Sequence, residues 1–214
     1  KQTLVGEKNY ASSLKQFWAT NFVKLAHSFT QYRHLNREPI KHGEKYEGTA
    51  LNEYIANKNV VVRSSGIVVC RNAPYLACSP HRLVGDDGLV EMKCPYTARD
   101  QTVSPISVPY LHVVGGRIAC KTNHIYRYQI MGAMMFTGRW CDLVVWSRTG
   151  HKVVTIHRND QFICDMKAKR EGFFTQYFRS AVLNKVLYKN QPGVKCALTY
   201  DKCITKCICV RNNS

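Results

Sequence analysis

The 214-residue chain has no uncharged apolar run near the ~18 residues that a membrane-spanning helix requires. Its opening stretch, KQTLVGEKNYASS, lacks the charged-then-apolar order of a secretory leader. It also lacks an initiating Met, as expected of a fragment or a processed form. These absences give the expectation of an intracellular protein, nuclear or cytoplasmic, with no membrane partner. Internal repeats and low-complexity tracts are missing too, which argues against solenoids and disordered linkers. Acidic residues are scarce: 14 Asp and Glu stand against 31 Lys and Arg, a formal charge of +17. The excess runs along the whole chain and favours a polyanionic partner, most naturally nucleic acid, through neutralised phosphates and released counterions.

Hydrophobic residues make up 45 % of the chain, enough for a packed core. Of the ten cysteines, Cys70, Cys78, Cys94, Cys120, Cys141 and Cys164 sit among apolar neighbours and read as small core residues of a reducing compartment. Cys196, Cys203, Cys207 and Cys209 form a C-x6-C-x3-C-x-C tail without a following His, which is not a zinc-finger spacing. Free thiols or disulfides suit that tail better than a metal knot. A secreted, disulfide-bearing protein whose active part is this cluster is the remotest of the readings. The expected organisation is one domain over 1–195 and a cysteine-rich tail over 196–214.

Aromatic and aliphatic spacing over residues 8–33 predicts an opening helix, broken somewhere along its length, and Glu38-Pro39 marks a break. A second helix is expected over 42–57 and a third from a cap at Thr122 or Asn123 to Thr137, stopped by Gly138. Strands are expected near Val60, over 66–70, in a hairpin around GDDG, and over RWCDLVVW and KVVTIHR with a turn at Thr149-Gly150. Residues 97–120 read as mostly loop with a short apolar strand, and 160–187 as a final helix. That order gives an α/β (α+β) domain with one central sheet.

The stretch CSPHRLVGDDGLVEMKCPY carries the candidate chemistry. A three-residue loop Asp86-Asp87-Gly88, with Gly88 left-handed, pairs Gly85 with Leu89 and His81 with Lys93. Strand alternation then sets His81, Glu91 and Lys93 on one face. A carboxylate and a lysine so placed can hold a divalent cation and an attacking water beside a phosphate. For E-x-K alone, a surface ion pair on an edge strand is the better account. Glu47 and Gln129 shift the balance, because each falls on an apolar helix stripe, with Ala50, Leu51 and Tyr54 and with Ile125, Gly132 and Phe136. A buried carboxylate needs a cation.

HGEKYEGTALNEY, APYLACSPHRLVGDDGLVEMKCPY, YRYQIMGAMMFTGRWCDLVVW and RNDQF, in that order over residues 42–162, resemble the YqaJ-type viral recombinase family. That family includes the phage lambda exonuclease, is related to herpesviral and baculoviral alkaline nucleases, and belongs to the PD-(D/E)xK nuclease superfold. The resemblance implies a restriction-endonuclease-like core, a central mixed sheet flanked by helices. It implies an exonuclease acting 5′ to 3′ on linear duplex DNA or its ends with Mg2+ or Mn2+, a ring-shaped homotrimer as in the phage relative, and a recombinase or annealing partner. It casts Glu91 as the principal metal ligand, the Met92 carbonyl as another, Glu47 as the helix carboxylate, Lys93 as the catalytic lysine and Gln129 as the helix glutamine.

One departure stands out: where the family reads S-P-D-G-L-V, this chain reads Ser79-Pro80-His81-Arg82-Leu83-Val84. Losing the aspartate weakens a site for Mg2+, whereas imidazole is a serviceable ligand for Mn2+. His81 is therefore an expected ligand in a site that tolerates Mn2+ better, and a DNA-binding protein without catalysis is the alternative reading. Asp86 and Asp87, in the turn, are too far along to substitute. Arg63, Arg82, Arg117, Lys121, Arg127 and Arg139 are candidate phosphate contacts, although solvated surface charge explains any one of them as well.

Overall fold

The computed structural model describes residues 21–30 and 37–188. They fall into two compact units, one of 21–30 with 167–188 and the other of 37–166. The cysteine tail, and most of the expected opening helix, lie outside the described residues.

In the smaller unit, helix α1 (Phe22–Phe29) is capped by Asn21, whose side chain accepts the Lys24 N–H. Its aromatic residues meet those of a helical run late in the chain: Phe22 lies 6.0 Å from Phe173 and 5.3 Å from Tyr177, ring centre to ring centre. Lys185 donates to the Thr30 carbonyl.

The larger unit opens with helix α2 (Glu38–Lys58). Pro39, expected to break the chain, instead occupies the first turn, where no N–H is needed and its fixed φ suits a helix start. The helix ends at Asn59 in the left-handed conformation (φ 50°), whose N–H donates to the Ile55 carbonyl. The strands are β1 (Val62–Ser64), β2 (Val68–Val69), β3 (Ala77–Cys78), β4 (Arg82–Val84), β5 (Gly88–Lys93), β6 (Leu111–Val114), β7 (Arg117–Cys120), β8 (Trp140–Ser147) and β9 (Gly150–Ile156). Helix α3 (Ile125–Thr137) precedes β8, and α4 (Asp160–Phe173), a π-turn (Phe174–Phe178) and α5 (Arg179–Tyr188) close the described chain. The expected final helix is thus one run with a π-turn inside it.

The central sheet has the order β1-β4-β5-β8-β9, antiparallel except for the parallel pair β5–β8. It is the mixed α/β sheet flanked by helices that the sequence predicts. Alternation along β5 and β8 feeds two cores. Leu89, Leu143 and Val145 join Ile130, Met131 and Met134 of α3, while Val90, Met92, Val144 and Trp146 join Ala50 and Tyr54 of α2.

Several expectations are corrected here. The β4–β5 hairpin pairs Val84 with Gly88, Leu83 with Leu89 and Arg82 with Val90. The loop is therefore Gly85-Asp86-Asp87, with Gly85 rather than Gly88 at positive φ (52°). Gly88 is needed for a different reason: a Cβ there would meet the Trp140 ring at 2.6 Å and the Val84 carbonyl at 2.8 Å. The register moves by two residues, an even number, so His81, Glu91 and Lys93 keep a common face. Residues 97–120 hold a full hairpin, β6–β7, turned by Gly115 and Gly116 at φ 55° and 74°. The cap of α3 is His124, whose ring accepts the Tyr126 N–H, in place of Thr122 or Asn123. The β8–β9 turn is Arg148-Thr149, since Ser147 pairs with Gly150. Cys78, Cys94, Cys120 and Cys141 are buried as expected, but Cys70 is half-buried and Cys164 exposed.

Candidate active site

Strand β5 is buried from Gly88 to Met92, and Glu91 is the one acidic side chain within it. Its carboxylate is 6 % exposed, a position that requires positive partners. Alternation turns Glu91 and Lys93 to the α3 side, where Gln129 lies one turn after Tyr126. The three polar groups close into a triangle. Lys93 Nζ lies 2.7 Å from Glu91 Oε1 and 3.1 Å from Gln129 Oε1, and Gln129 Nε2 donates to the same Glu91 oxygen at 2.6 Å. Lys93 Nζ also sits 4.3 Å from the centre of the Tyr126 ring.

His81 supplies a further contact to the same oxygen. One step past the Arg82–Val90 pair, it comes alongside Glu91, with Nε2 3.5 Å from Oε1. Its Nδ1 accepts the Met92 N–H at 3.2 Å and lies 3.7 Å from Glu47 Oε1. A ring nitrogen that accepts carries no proton, so this bond places the imidazole proton on Nε2, facing Glu91. Arg82 donates to the His81 carbonyl at 2.6 Å and reaches within 3.8 Å of Glu47. Burial on its own raises the Glu91 carboxyl, but Lys93, His81 and the Gln129 amide outweigh it and hold the group below its ordinary value. Glu91 is an anion at neutral pH.

Glu47, expected to be buried, is 35 % exposed at its side chain, on a rim with the half-buried His81 and Arg82. Of the other predicted residues, Arg63 donates to the Gly85 carbonyl and faces Asp86, so it fastens the β4–β5 turn. Arg117 opens β7 at an exposed hairpin tip, and Lys121 is exposed beyond that strand. Arg127 is half-buried on α3, where burial lowers its guanidinium. Arg139 is half-buried, and one of its terminal nitrogens has no partner among the described residues.

Sequence reasoning missed Tyr126. Its signal was the i, i+3 spacing to Gln129 on one helix face. It also missed Asp142, 2 % exposed at its side chain, which accepts from Tyr54 Oη at 2.9 Å and Thr155 Oγ1 at 2.5 Å and faces Lys58 at 3.6 Å. Asp142 pairs with Val90, one residue out of phase with Glu91, and so serves the α2 side of the sheet.

Among the described residues, no three His, Cys, Asp or Glu side chains converge closely enough to hold a metal ion as they stand. The donor types still suit one divalent ion: Glu91, Glu47 and the Met92 carbonyl are oxygen donors, and His81 would offer nitrogen once its ring is released from the Met92 N–H and Glu91. A mixed set of this kind suits Mn2+ better than Mg2+. Arg82 beside Glu47 opposes any cation.

Residues 2–140, well over half of the chain, match the family described as the YqaJ-like viral recombinase domain. The fold is similar to two crystal structures of LHK-Exo, an alkaline exonuclease from Laribacter hongkongensis, one of them in complex with dAMP. Both are 21 % identical to this chain with a TM-score of 0.59; the match covers 89 % of this chain and 89 % or 90 % of theirs. Among curated proteins, no sequence matches.

Proposed function

This chain belongs to the YqaJ-like viral recombinase domain family, and we propose that it is a deoxyribonuclease of the exonuclease type, hydrolysing phosphodiester bonds of linear duplex DNA 5′ to 3′. The observation that carries this reading is the triangle of Glu91, Lys93 and Gln129 around one carboxylate oxygen. Such a triangle fixes an ammonium at the mouth of an anionic, buried site, where it can orient a water or offset charge developing on phosphorus oxygens. Gln129 holds that ammonium in place through its carbonyl while its amide steadies Glu91. Tyr126 supplies a ring face that limits the swing of the lysine. Glu91, the Met92 carbonyl, Glu47 and His81 are the groups that would hold a divalent ion, Mn2+ in preference to Mg2+. When bound, that ion supplies a water of lowered pKa and neutralises phosphate charge.

DNA is the proposed partner, with Arg82, Arg117, Lys121 and Arg127 available to its phosphates. A homo-oligomer and a recombinase or annealing partner belong to the same proposal. The test is degradation of end-labelled linear duplex DNA with Mg2+ and Mn2+ in turn, beside Lys93→Ala. Loss of nucleotides from 5′ ends that disappears in the variant supports the reading; cleavage that survives it unchanged sinks it.

A second reading, DNA binding without catalysis, is favoured by one observation. The Glu91 oxygen is already surrounded by Lys93, Gln129 and His81, and Arg82 faces Glu47, so both carboxylates are compensated within the chain. It predicts metal-independent, salt-sensitive DNA binding, with cleavage appearing only in His81→Asp.

A further inference from the structure

Beyond the Glu91 triangle, a second polar cluster is built where the parallel pair β5–β8 ends, and none of the charges considered above belongs to it. Tyr46 on α2 stacks on Trp146 of β8, with ring centres 5.0 Å apart and planes 21° from parallel. The Arg148 guanidinium lies 5.6 Å from the Tyr46 ring centre and donates to its hydroxyl at 3.3 Å, and Lys45 Nζ lies 5.2 Å from the same ring. Arg99 sits 4.3 Å from the ring centre of Tyr96, three residues past Lys93. Asp100 ties the two arginines together, 2.6 Å from Arg148 Nη1 and 3.2 Å from Arg99 Nε. The Arg148 N–H donates to the Arg99 carbonyl, so the segments that carry them are joined through the backbone as well.

Three features set this cluster apart from ordinary surface charge. The guanidiniums are oriented by aromatic faces and a shared carboxylate, which spares them ordering on contact with a ligand. They remain half exposed or nearly so, 49 % for Arg148 and 36 % for Arg99. Two ring nitrogens in the same cluster, Nε2 of His42 (7 % exposed) and Nε1 of Trp146 (4 %), have no hydrogen-bond partner among the described residues. His42 lies 4.7 Å from Tyr46 and 5.5 Å from Tyr96, and burial together with Arg148 and Arg99 keeps it neutral by lowering its pKa.

Placement gives the cluster a role. In sheets with parallel strands, ligands bind beyond the carboxyl ends of those strands. Lys93 ends β5 and pairs with Val145 of β8, while Tyr96, Trp146 and Arg148 follow within three residues of that pair. On α2, Tyr46 is the neighbour of Glu47. Lys45, Arg99 and Arg148 against Asp100 leave a local charge of +2, from three cations and one anion. The geometry points to this platform as a contact for the sugar–phosphate backbone of the DNA strand that leads into the Glu91–Lys93 site. This inference rests on the nuclease reading for its ligand.

The test is fluorescence-anisotropy titration of a duplex oligonucleotide at several salt concentrations, in the Lys93→Ala background so that the probe survives. Each lost phosphate contact lowers the slope of log affinity against log salt by about 0.9, so Arg99→Gln with Arg148→Gln should lower it by about 2. Arg99→Lys with Arg148→Lys should keep most of the slope, and Arg71→Gln, an exposed arginine elsewhere, should reproduce the parent. Thermal denaturation of each variant separates weakened binding from misfolding. An unchanged slope and affinity in the folded double-Gln variant overturns the proposal. If the parent binds no DNA and the unmodified protein cleaves none, the nuclease reading itself fails. If the parent binds and the unmodified protein cleaves while the double-Gln variant binds equally well, only the platform fails.

Discussion

The imidazole of His81 stands against the Glu91 carboxylate, with Nε2 3.5 Å from Oε1 and Nδ1 occupied by the Met92 N–H. As folded, His81 offers Glu91 a proton instead of offering a metal a lone pair. Glu91 thereby faces an imidazole where the resemblance leads one to expect a second carboxylate, in addition to the hydrogen bonds it accepts from Lys93 and Gln129.

His81→Asp is therefore expected to act in opposite directions with and without metal. Without an ion it sets a carboxylate against both Glu47 and Glu91, and like charges so close lower stability, by about 1–2 kcal/mol if one pKa unit or so is shifted. With Mg2+ it restores an all-oxygen set, and affinity should rise about tenfold or more. Thermal denaturation across a Mg2+ titration reads both effects. A variant that matches the parent at zero Mg2+ and responds no more strongly to the ion refutes the account.

Lys93→Met should reduce cleavage about 10²- to 10³-fold, the usual effect of removing one preorganised electrostatic contact. A second, independent consequence concerns pH. Glu91 is depressed in the folded protein, so its contribution to stability is present above the unfolded carboxyl pKa and lost as pH falls through the folded value. Without Lys93, burial dominates and the carboxyl rises, so the variant should be the less stable protein at pH 7. The deficit should shrink at pH 4, where the raised carboxyl of the variant is protonated in the folded protein and is no longer a buried, unpaired anion. Urea midpoints at the two pH values decide it, and a deficit that is constant with pH counts against the pairing.

Much of this arrangement was legible in the sequence because it depends on parity. His81, Glu91 and Lys93 share a face in any register displaced by an even number of residues, so the wrong loop at Asp86–Gly88 left the grouping intact. Gln129 was legible through helical spacing. What the sequence hid was which glycine turns the hairpin: Gly85 and Gly88 both suit a turn, and the choice depends on Trp140, 52 residues later, packing over Gly88. Pro39 is ambiguous in sequence because a proline that ends one element and one that starts the next look alike locally. Over 97–120 the sequence shows only one short strand in a loop, and hides the second strand of the β6–β7 hairpin, because Pro105, Pro109, Gly115 and Gly116 dominate a segment whose strands have only four residues each. The Arg99–Asp100–Arg148 linkage joins residues 48 positions apart and has no periodic signature.

Gly88→Ala provides a direct check on the hairpin. The added methyl meets the Trp140 ring at 2.6 Å and the Val84 carbonyl at 2.8 Å, and the carbonyl, being backbone within the β4–β5 pair, has little freedom to retreat. Overpacking of this kind costs about 1–3 kcal/mol. The urea midpoint should fall accordingly, whereas Trp140→Ala introduced into the same variant should recover part of the loss. No recovery would place the strain at the carbonyl alone.

Buried thiols make the fold sensitive to alkali. Burial pushes Cys78 up to about 12, and burial together with Glu47 pushes Cys94 up to about 11. Burial likewise raises the Tyr54 and Tyr110 hydroxyls. In the unfolded chain these thiols ionise near their ordinary value of about 8.5. Above that pH the unfolded state releases protons that the folded state retains, so the equilibrium moves towards unfolding. The stability supplied by the two thiols is complete below about pH 8.5 and declines as pH rises towards their folded values. The decline should reach about 5 kcal/mol by pH 10.5, counting both groups at about 1.4 kcal/mol for each pH unit above 8.5. Urea midpoints measured from pH 8 to 10.5 should fall more steeply for the parent than for Cys78→Ala with Cys94→Ala, although that variant begins lower because it leaves small cavities. Equal steepness would mean that the two thiols ionise as readily in the folded protein as in the unfolded chain, and their burial would then have no part in its response to alkali.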